Sequence, residues 1–440
     1  MEKFIVKGGS RLHGKTNVSG AKNVALKALV AACLTDEEVI IRNVPLISDV
    51  TVMVAIIKEL GGEVTIDDHE MRVKVGGFKK SKISLDQASH IRTSSMFLAP
   101  LLIRTGKAII PNPGGCRIGA RPIDRTIEGL IQMGAKIDYQ SEDGYFHAEA
   151  RGLNGVDYHF EKNTHTGTET LIIAAVLAKG KTTLVNAAVE PEIDELIDLL
   201  NSMGAKIKRV AERRIEIDGV ASLHGATVAI HPDRNEIVTF AVAAYVTKGD
   251  ITVTGAEKES LSAFLSQLDQ VGAKYELLED AIRFYADGGL KATSVTTEPH
   301  PGFMTDWQAP WAVLMTQALG ESMIHETVFS NRFGYVSELR KMGAKIKFFS
   351  PEVKDLKDTY NFDPDENENM PHAIVITGPT GLHDAVVTIS DLRAGASLVL
   401  AALAGNGETV IHGVNLIDRG YEAFAERLRS LGAHIERVND

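Results

Sequence analysis

One phrase is written six times along this 440-residue chain. It reads Leu60-Gly61-Gly62, Met133-Gly134-Ala135-Lys136-Ile137, Met203-Gly204-Ala205-Lys206-Ile207, Val271-Gly272-Ala273-Lys274-Tyr275, Met342-Gly343-Ala344-Lys345-Ile346 and Leu431-Gly432-Ala433-His434-Ile435. Successive first glycines stand 73, 70, 68, 71 and 89 residues apart. A nearly fixed period of this size restricts the chain to an array of like units. Each phrase follows an amphipathic run such as Ile123 to Ile131. Glycine there is a helix stop, because it takes the left-handed C-cap conformation without a Cβ clash.

A second, more apolar helix is expected earlier in each unit: Asn23 to Leu34, Ser94 to Arg104, Glu169 to Ala178, Glu236 to Thr247, Pro310 to Leu319 and Ala394 to Ala404. Short strands such as Thr183-Leu184-Val185 follow, and a turn between alternating strands joins the units. Each unit reads strand, strand, helix, strand, helix, strand, which makes the fold class α/β (α+β repeats). The sixth unit lacks its last strand, and Phe4-Ile5-Val6-Lys7 is a spare one at the other end. An unpaired place in a sheet leaves backbone groups unsatisfied, so the first strand is expected to fill it. The expectation is two three-unit domains: 21–231, and a discontinuous one of 1–20 with 232–440. The 89-residue spacing holds an acidic, Pro- and Asn-rich insertion at about Ser350 to Pro371, read as a surface excursion.

With 47 Lys+Arg against 58 Asp+Glu, the net charge is −11. That argues against nucleic acid and anionic membranes as partners, since both demand a positive field. Two cysteines cannot frame a disulfide scaffold. The opening residues have no apolar core for a signal peptide, and no apolar stretch is long enough for membrane insertion. A cytoplasmic protein is therefore expected. Gly9-Ser10-Arg11-Leu12-His13-Gly14-Lys15-Thr16 matches the phosphate-loop pattern, but Thr16-Asn17-Val18 continues as a strand where the mechanism demands a helix. No dinucleotide fingerprint and no zinc-binding motif occurs.

The chemistry-bearing residues precede the apolar helices. Lys22, Arg92, Arg234 and Arg393 stand at corresponding helix starts, against the helix dipole. Either they are ordinary solvated ends, or they await a polyanionic ligand such as phosphate or carboxylate. Pro111 to Pro122 carries three prolines, three further glycines and Cys116, with Arg117 and Arg121 close behind. Cations lower a thiol pKa, so Cys116 could serve as nucleophile or proton donor, or remain an ordinary loop cysteine. Asp306 opens a helix and reads as an N-cap or as a general base.

These residues together resemble the enolpyruvyl transferase family, in particular the members that act on UDP-N-acetylglucosamine. The resemblance rests on Gly20-Ala21-Lys22-Asn23, Gly114 to Pro122, Glu190-Pro191-Glu192-Ile193, Pro301 to Asp306, Asn331-Arg332-Phe333, Asp391-Leu392-Arg393 and Asp418-Arg419-Gly420-Tyr421, and covers nearly the whole chain. It implies a two-domain inside-out α/β barrel, and transfer of the enolpyruvyl group from phosphoenolpyruvate to the sugar 3-hydroxyl with release of phosphate, the first committed step toward peptidoglycan. Its partners would be those two substrates, with no metal or organic cofactor.

The resemblance also implies roles. Cys116 would protonate the phosphoenolpyruvate methylene and can form an adduct with it. Asp306 would take the hydroxyl proton. Lys22, Arg121 and Arg419 would hold phosphate, and Arg332 and Arg393 the carboxylate. Asn23, Arg92, Lys162, Thr164, His165, Thr166 and Val328 would hold the nucleotide sugar, with Arg121, Pro122, Ile123, Asp124 and Arg125. The sequence departs from the family pattern at Thr126, over Thr164 to Thr166, and at Leu416. Two other readings share these features: a sister transferase acting on shikimate phosphate, and a non-catalytic protein that binds a nucleotide sugar.

Overall fold

The computed structural model describes residues 2–114, 123–363 and 371–439. All six repeated glycines take positive φ, from 78° at Gly272 to 102° at Gly134. Each closes its helix in the same way. Ala135 donates its N–H to the carbonyl of Leu130 at 3.0 Å and Gly134 donates to Ile131 at 2.9 Å; Ala344 with Leu339 and Gly343 with Arg340 repeat the pair at 3.0 Å. This is the paired C-cap that glycine makes possible.

A second hydrogen bond also recurs six times. The residue before each repeated glycine accepts from a backbone N–H beyond the hairpin: Lys79 to Leu60, Asn154 to Met133, His224 to Met203, Lys291 to Val271, His383 to Met342 and His13 to Leu431. The last of these shows how the sixth unit is finished by the start of the chain. Glu2–Lys7 lies antiparallel between Glu408–His412 and His434–Asn439, and fills the empty place.

The described residues divide into two compact units, 20–114 with 123–231, and 2–19 with 232–439. In each, the sheets take a parallel edge from the preceding repeat, a strand in five of the six and a single bridge in the other. In the first unit Asp157–His159 joins Lys181–Val185, Lys82 bridges to Ile109, and Thr227–Ala229 returns to Val39–Arg42. In the second, Val295–Thr296 joins Gly320–His325, Val386–Thr388 joins Glu408–His412, and His13–Asn17 joins Asp250–Thr254. The chain thus ties three sheets into a closed ring twice. The Lys15-Thr16 stretch is spent as one of these edge strands, so it does not form a phosphate loop.

Inside each ring lie the apolar helices. Every residue of Arg234–Val246 and of Gln308–Met315 is buried, and these two pack on each other and on Leu392–Ala404. Helices apolar on all sides belong at the centre, and the amphipathic sheets face solvent around them. The first unit has the same plan with Lys22–Ala32, Leu98–Thr105 and His165–Ala175. Two expected helices are shifted. Arg92–Phe97 and Thr305–Trp307 form 3-10 turns before helices that start at Leu98 and Gln308. Pro100 and Pro310 therefore fall in a first turn, where proline's missing N–H is tolerated. Among the described residues no helix is long and apolar enough to cross a membrane.

The insertion differs from a plain excursion. Its described part makes the short helix Leu356–Thr359, then Tyr360 is buried against His325, His372 and Phe362, with its hydroxyl 3.1 Å from His325 Nε2. Asn361 donates its N–H to the Thr327 carbonyl at 2.8 Å. Acidic composition hid these aromatic anchors. Residues 364–370 lie outside the described residues.

The caps yield a graded test. A Cβ on Gly343 would carry φ of +92° and stand 2.9 Å from His383, whereas a Cβ on Gly272 would meet nothing within 4 Å. Gly272→Ala is expected to lower stability by about 1–2 kcal/mol, the cost of the left-handed conformation. Gly343→Ala should cost more. Denaturant melts of both variants check the order.

Candidate active site

In the unit that contains residues 232–439, the 3-10 turn Thr305–Trp307 presents Asp306 to two guanidiniums. Arg332 Nη2 donates to Asp306 Oδ1 at 2.5 Å, and Arg393 Nε donates to Oδ2 at 3.3 Å. Both arginines are nearly closed off from solvent, with side chains 6% and 5% exposed, while Asp306 is 23% exposed. Asp306 lies inside the 3-10 turn, whose N-cap position is Met304, and its carboxylate reaches both arginines.

The helix ends are capped by others. Asp391 accepts from the N–H groups of Arg393 and Ala394, and Asp233 accepts from that of Asn235. Asp391 also stands 3.9 Å from Arg332. Burial works against the charge on Arg393, but Tyr421, Asp306 and Asp233 outweigh it and hold the guanidinium above its ordinary pKa. Arg393 further stacks over the Tyr421 ring, whose hydroxyl reaches Thr239 at 2.9 Å. Arg234 lies beside His300, 3.2 Å from Nδ1, and over Trp307. Arg419 is half-buried in the turn after Val414–Leu416.

Beneath Asp306 lies a carboxylate that the sequence reading missed. Glu326 is fully buried and accepts from Gln308 Nε2 at 2.6 Å, Thr305 Oγ1 at 2.9 Å, and the N–H groups of Val328 and Phe329. Tyr335 donates in turn to Gln308 Oε1. Burial pushes the Glu326 carboxyl up, against the pull of those N–H groups and of Arg332. The network fixes the 3-10 turn that carries Asp306 and the Val328 backbone at once. Its only sequence signal is an acidic residue at the end of the apolar strand Met323 to His325.

That strand end also touches the insertion. Burial holds His325 below its ordinary value of 6.5, with His372 adding to the effect, and burial does the same to His372. A depressed folded-state pKa gives stability that is present above the unfolded value and lost as pH falls through the folded one. The packing of 356–363 should therefore loosen below about pH 6.5. Protease cleavage within 350–363 should rise between pH 7.5 and 5.5, and rates that do not change with pH would contradict this.

In the unit that contains residues 20–231, Gly20 passes so close to Asn43 that a Cβ would meet its carbonyl oxygen at 1.8 Å. That approach seats Lys22 at the first position of its helix. Lys22 Nζ then pairs with Asp49 at 2.7 Å, with both side chains buried. Asn23 is half-buried beside it, and half-buried Arg92 opens the 3-10 turn Arg92–Phe97. Lys162 and Thr164 precede the helix His165–Ala175, where Thr164 Oγ1 accepts from the Gly167 N–H at 3.3 Å. Ile123 is buried ahead of the helix Asp124–Gln132, Asp124 is exposed, and burial lowers the pKa of half-buried Arg125. Cys116, Arg121 and Pro122 lie outside the described residues.

The helix-start cations were expected to be disfavoured without a bound anion. At Lys22 and Arg393 the protein itself supplies a counter-charge, through Asp49 and Asp306. An anionic substrate would compete with or join these carboxylates. Among the described residues no cluster of three or more His, Cys, Asp and Glu side chains is arranged to hold a metal ion.

Comparison with known proteins gives a consistent result. A family model described as EPSP synthase (3-phosphoshikimate 1-carboxyvinyltransferase) matches residues 6–428. A UDP-N-acetylglucosamine 1-carboxyvinyltransferase of Magnetococcus marinus is 43% identical over 440 residues, covering all of both chains. Its counterpart from Acidobacterium capsulatum is 42% identical over 445 residues, covering all of this chain and 97% of the relative. Among solved structures, the enolpyruvyl transferase NikO of Streptomyces tendae superposes with a TM-score of 0.87 at 23% identity, over 100% of this chain and 99% of that one. An EPSP synthase of Acinetobacter baumannii gives 0.75 at 16% identity, over all of both chains. At those identities the structures speak for the fold, the inside-out α/β barrel.

Proposed function

This chain belongs to the UDP-N-acetylglucosamine 1-carboxyvinyltransferase family, and on that premise we propose that it transfers the enolpyruvyl group of phosphoenolpyruvate to the 3-hydroxyl of UDP-N-acetylglucosamine. The sugar oxygen bonds to C2 of phosphoenolpyruvate, the C2–O bond to phosphate breaks, and inorganic phosphate leaves. The product would enter peptidoglycan synthesis in the cytoplasm. The observation that carries the reading is Asp306 held between Arg332 and Arg393.

Asp306 accepts the proton of the sugar hydroxyl as oxygen attacks, and Cys116 delivers a proton to the methylene carbon, which is returned when the double bond re-forms. Arg332 and Arg393 bind the substrate carboxylate, and Lys22, Arg121 and Arg419 the phosphate. Asn23, Arg92, Lys162, Thr164, His165, Thr166, Val328 and the stretch 121–125 hold the nucleotide sugar. Guanidiniums and ammonium groups fixed before the reaction stabilise the charge that develops, with no reorganisation during it.

The test is phosphate release from phosphoenolpyruvate with each acceptor in turn, and the product identified by mass. Release with UDP-N-acetylglucosamine and none with shikimate 3-phosphate is expected. The reverse would assign the sister reaction, and nucleotide-sugar binding without release would make the chain a binding protein.

A further inference from the structure

The first five repeats share a bond at the end of the strand that follows the apolar helix. A residue just past that strand donates its N–H to a carbonyl in the neighbouring hairpin turn: Val44 to His69, Asn112 to Gly144, Ala187 to Arg213, Gly255 to Asp280 and Glu326 to His372. Four of these hairpins reverse at once, in the turns 68–69, 141–144, 212–213 and 279–280. In the fifth the connection is the insertion, and it adds a bond of its own. Asn361 donates its backbone N–H to the Thr327 carbonyl at 2.8 Å, one residue beyond Glu326. Tyr360 and Phe362, on either side of Asn361, both pack on His372 with ring centroids 4.9 Å away. Tyr360 is 2% exposed and also reaches His325, its hydroxyl 3.1 Å from Nε2. These rings anchor the insertion to the strand end, and Asn361 between them carries the bond.

That bond falls on a peptide already held at its other end. The carbonyl of the Thr327–Val328 peptide accepts from Asn361, and its N–H donates to Glu326 Oε1 at 2.8 Å. Thr327 is buried, its own N–H donates to Thr297 Oγ1 at 3.0 Å, and its hydroxyl donates to the Thr297 carbonyl. A buried carbonyl that loses its donor is left unpaired away from water, so the backbone would move to find another. Glu326 divides its work. Oε1 holds the N–H groups of Val328 and Phe329, and Oε2 holds Thr305 and Gln308 on the turn of Asp306. The insertion bears on the Val328 side of this network and not on the Asp306 side.

Resting on the function proposed above, in which Val328 holds the nucleotide sugar, we propose that the insertion is a strap that positions the acceptor site: Tyr360, anchored on His325 and His372, delivers the Asn361 N–H to Thr327 and so fixes the Val328 backbone before UDP-N-acetylglucosamine arrives. Tyr360 and Asn361 are positioning residues that act through Thr327. A segment fixed in advance spares the ordering cost that binding would otherwise meet, so the strap serves affinity for the sugar nucleotide. Phosphoenolpyruvate, bound through Arg332 and Arg393, gains nothing from it.

Steady-state kinetics of the full chain, with each substrate varied in turn, test this. Asn361→Pro removes the N–H, and the extended Tyr360, at φ −101° and ψ 136°, accepts a proline after it. Asn361→Ala keeps the N–H, so the ratio between the two variants reads the bond. KM for UDP-N-acetylglucosamine should be about three- to tenfold higher in the proline variant than in the alanine variant. KM for phosphoenolpyruvate and kcat should differ between them by less than about twofold. Tyr360→Ala should shift the same single constant in the same direction, and it carries the test if Asn361→Pro fails to fold. Equal acceptor KM values in the two Asn361 variants, or a Tyr360→Ala variant in which both KM values rise alike or only kcat falls, overturn the strap while leaving the transfer function in place. No phosphate release with UDP-N-acetylglucosamine from the unsubstituted chain overturns both.

Discussion

Turnover should vanish when Cys116 is replaced by alanine. The proposed reaction demands a proton on the phosphoenolpyruvate methylene, and an alanine methyl has none to give. Loss of a positioned general acid alone is worth about 10²–10⁴-fold, and loss of an adduct-forming thiol adds to it. Cys116→Asp can donate a proton and should retain part of the activity. The second cysteine makes selectivity measurable. Cys33 is fully buried, its thiol donates to the Leu29 carbonyl at 3.3 Å, and burial, only partly countered by Arg104, pushes its pKa up to about 12. A thiol, unlike a thiolate, is a poor nucleophile. An epoxide electrophile should therefore label Cys116, spare Cys33, and fail on Cys116→Asp. A label mapped to Cys33, or a fully active alanine variant, would remove Cys116 from the reaction.

Asp306→Asn is the second large effect. Asparagine keeps the shape and one acceptor oxygen but cannot take up a proton at neutral pH. If Asp306 is the base, turnover should drop by about 10²–10⁴-fold. The geometry alters what else to expect. A carboxylate that merely capped its helix would tolerate asparagine without loss of stability. Asp306 instead balances two buried guanidiniums, and weakening those bonds should lower stability by about 1–3 kcal/mol. Kinetics normalised to folded protein, with a melt on the same preparation, separate the two losses. Near-normal turnover in a destabilised variant would leave Asp306 as a holder of Arg332 and Arg393 and place the base elsewhere.

Much of the candidate site was legible in the chain, for different reasons. Lys22 and Arg393 were visible because they break a local rule: a cation stands at the start of an apolar helix. Asp306 read equally as a cap, and only the family resemblance gave it the role of base. Asp49 and Glu326 were not visible. Asp49 lies in the first turn of Ser48–Glu59, where an acid is ordinary. Glu326 ends an apolar strand, and its partners Thr305 and Gln308 are about twenty residues away. Pairing across such distances leaves no local trace.

The repeat is legible in the chain alone. Glycine is the residue that takes the left-handed cap at little cost, and six of them at a steady interval fix six helix ends, six hairpins and the strand that must return to finish the last sheet. Helices apolar on every side could go nowhere but inside. Which charges face each other is set by how distant elements pack. Each carboxylate chooses its partner by which elements converge, and convergence depends on the ring closures by Thr227–Ala229 and His13–Asn17, set by backbone pairing far from the site. Secondary structure follows from forces within a few residues. Electrostatic partnership is settled by distances of a few ångströms between groups that the chain holds far apart.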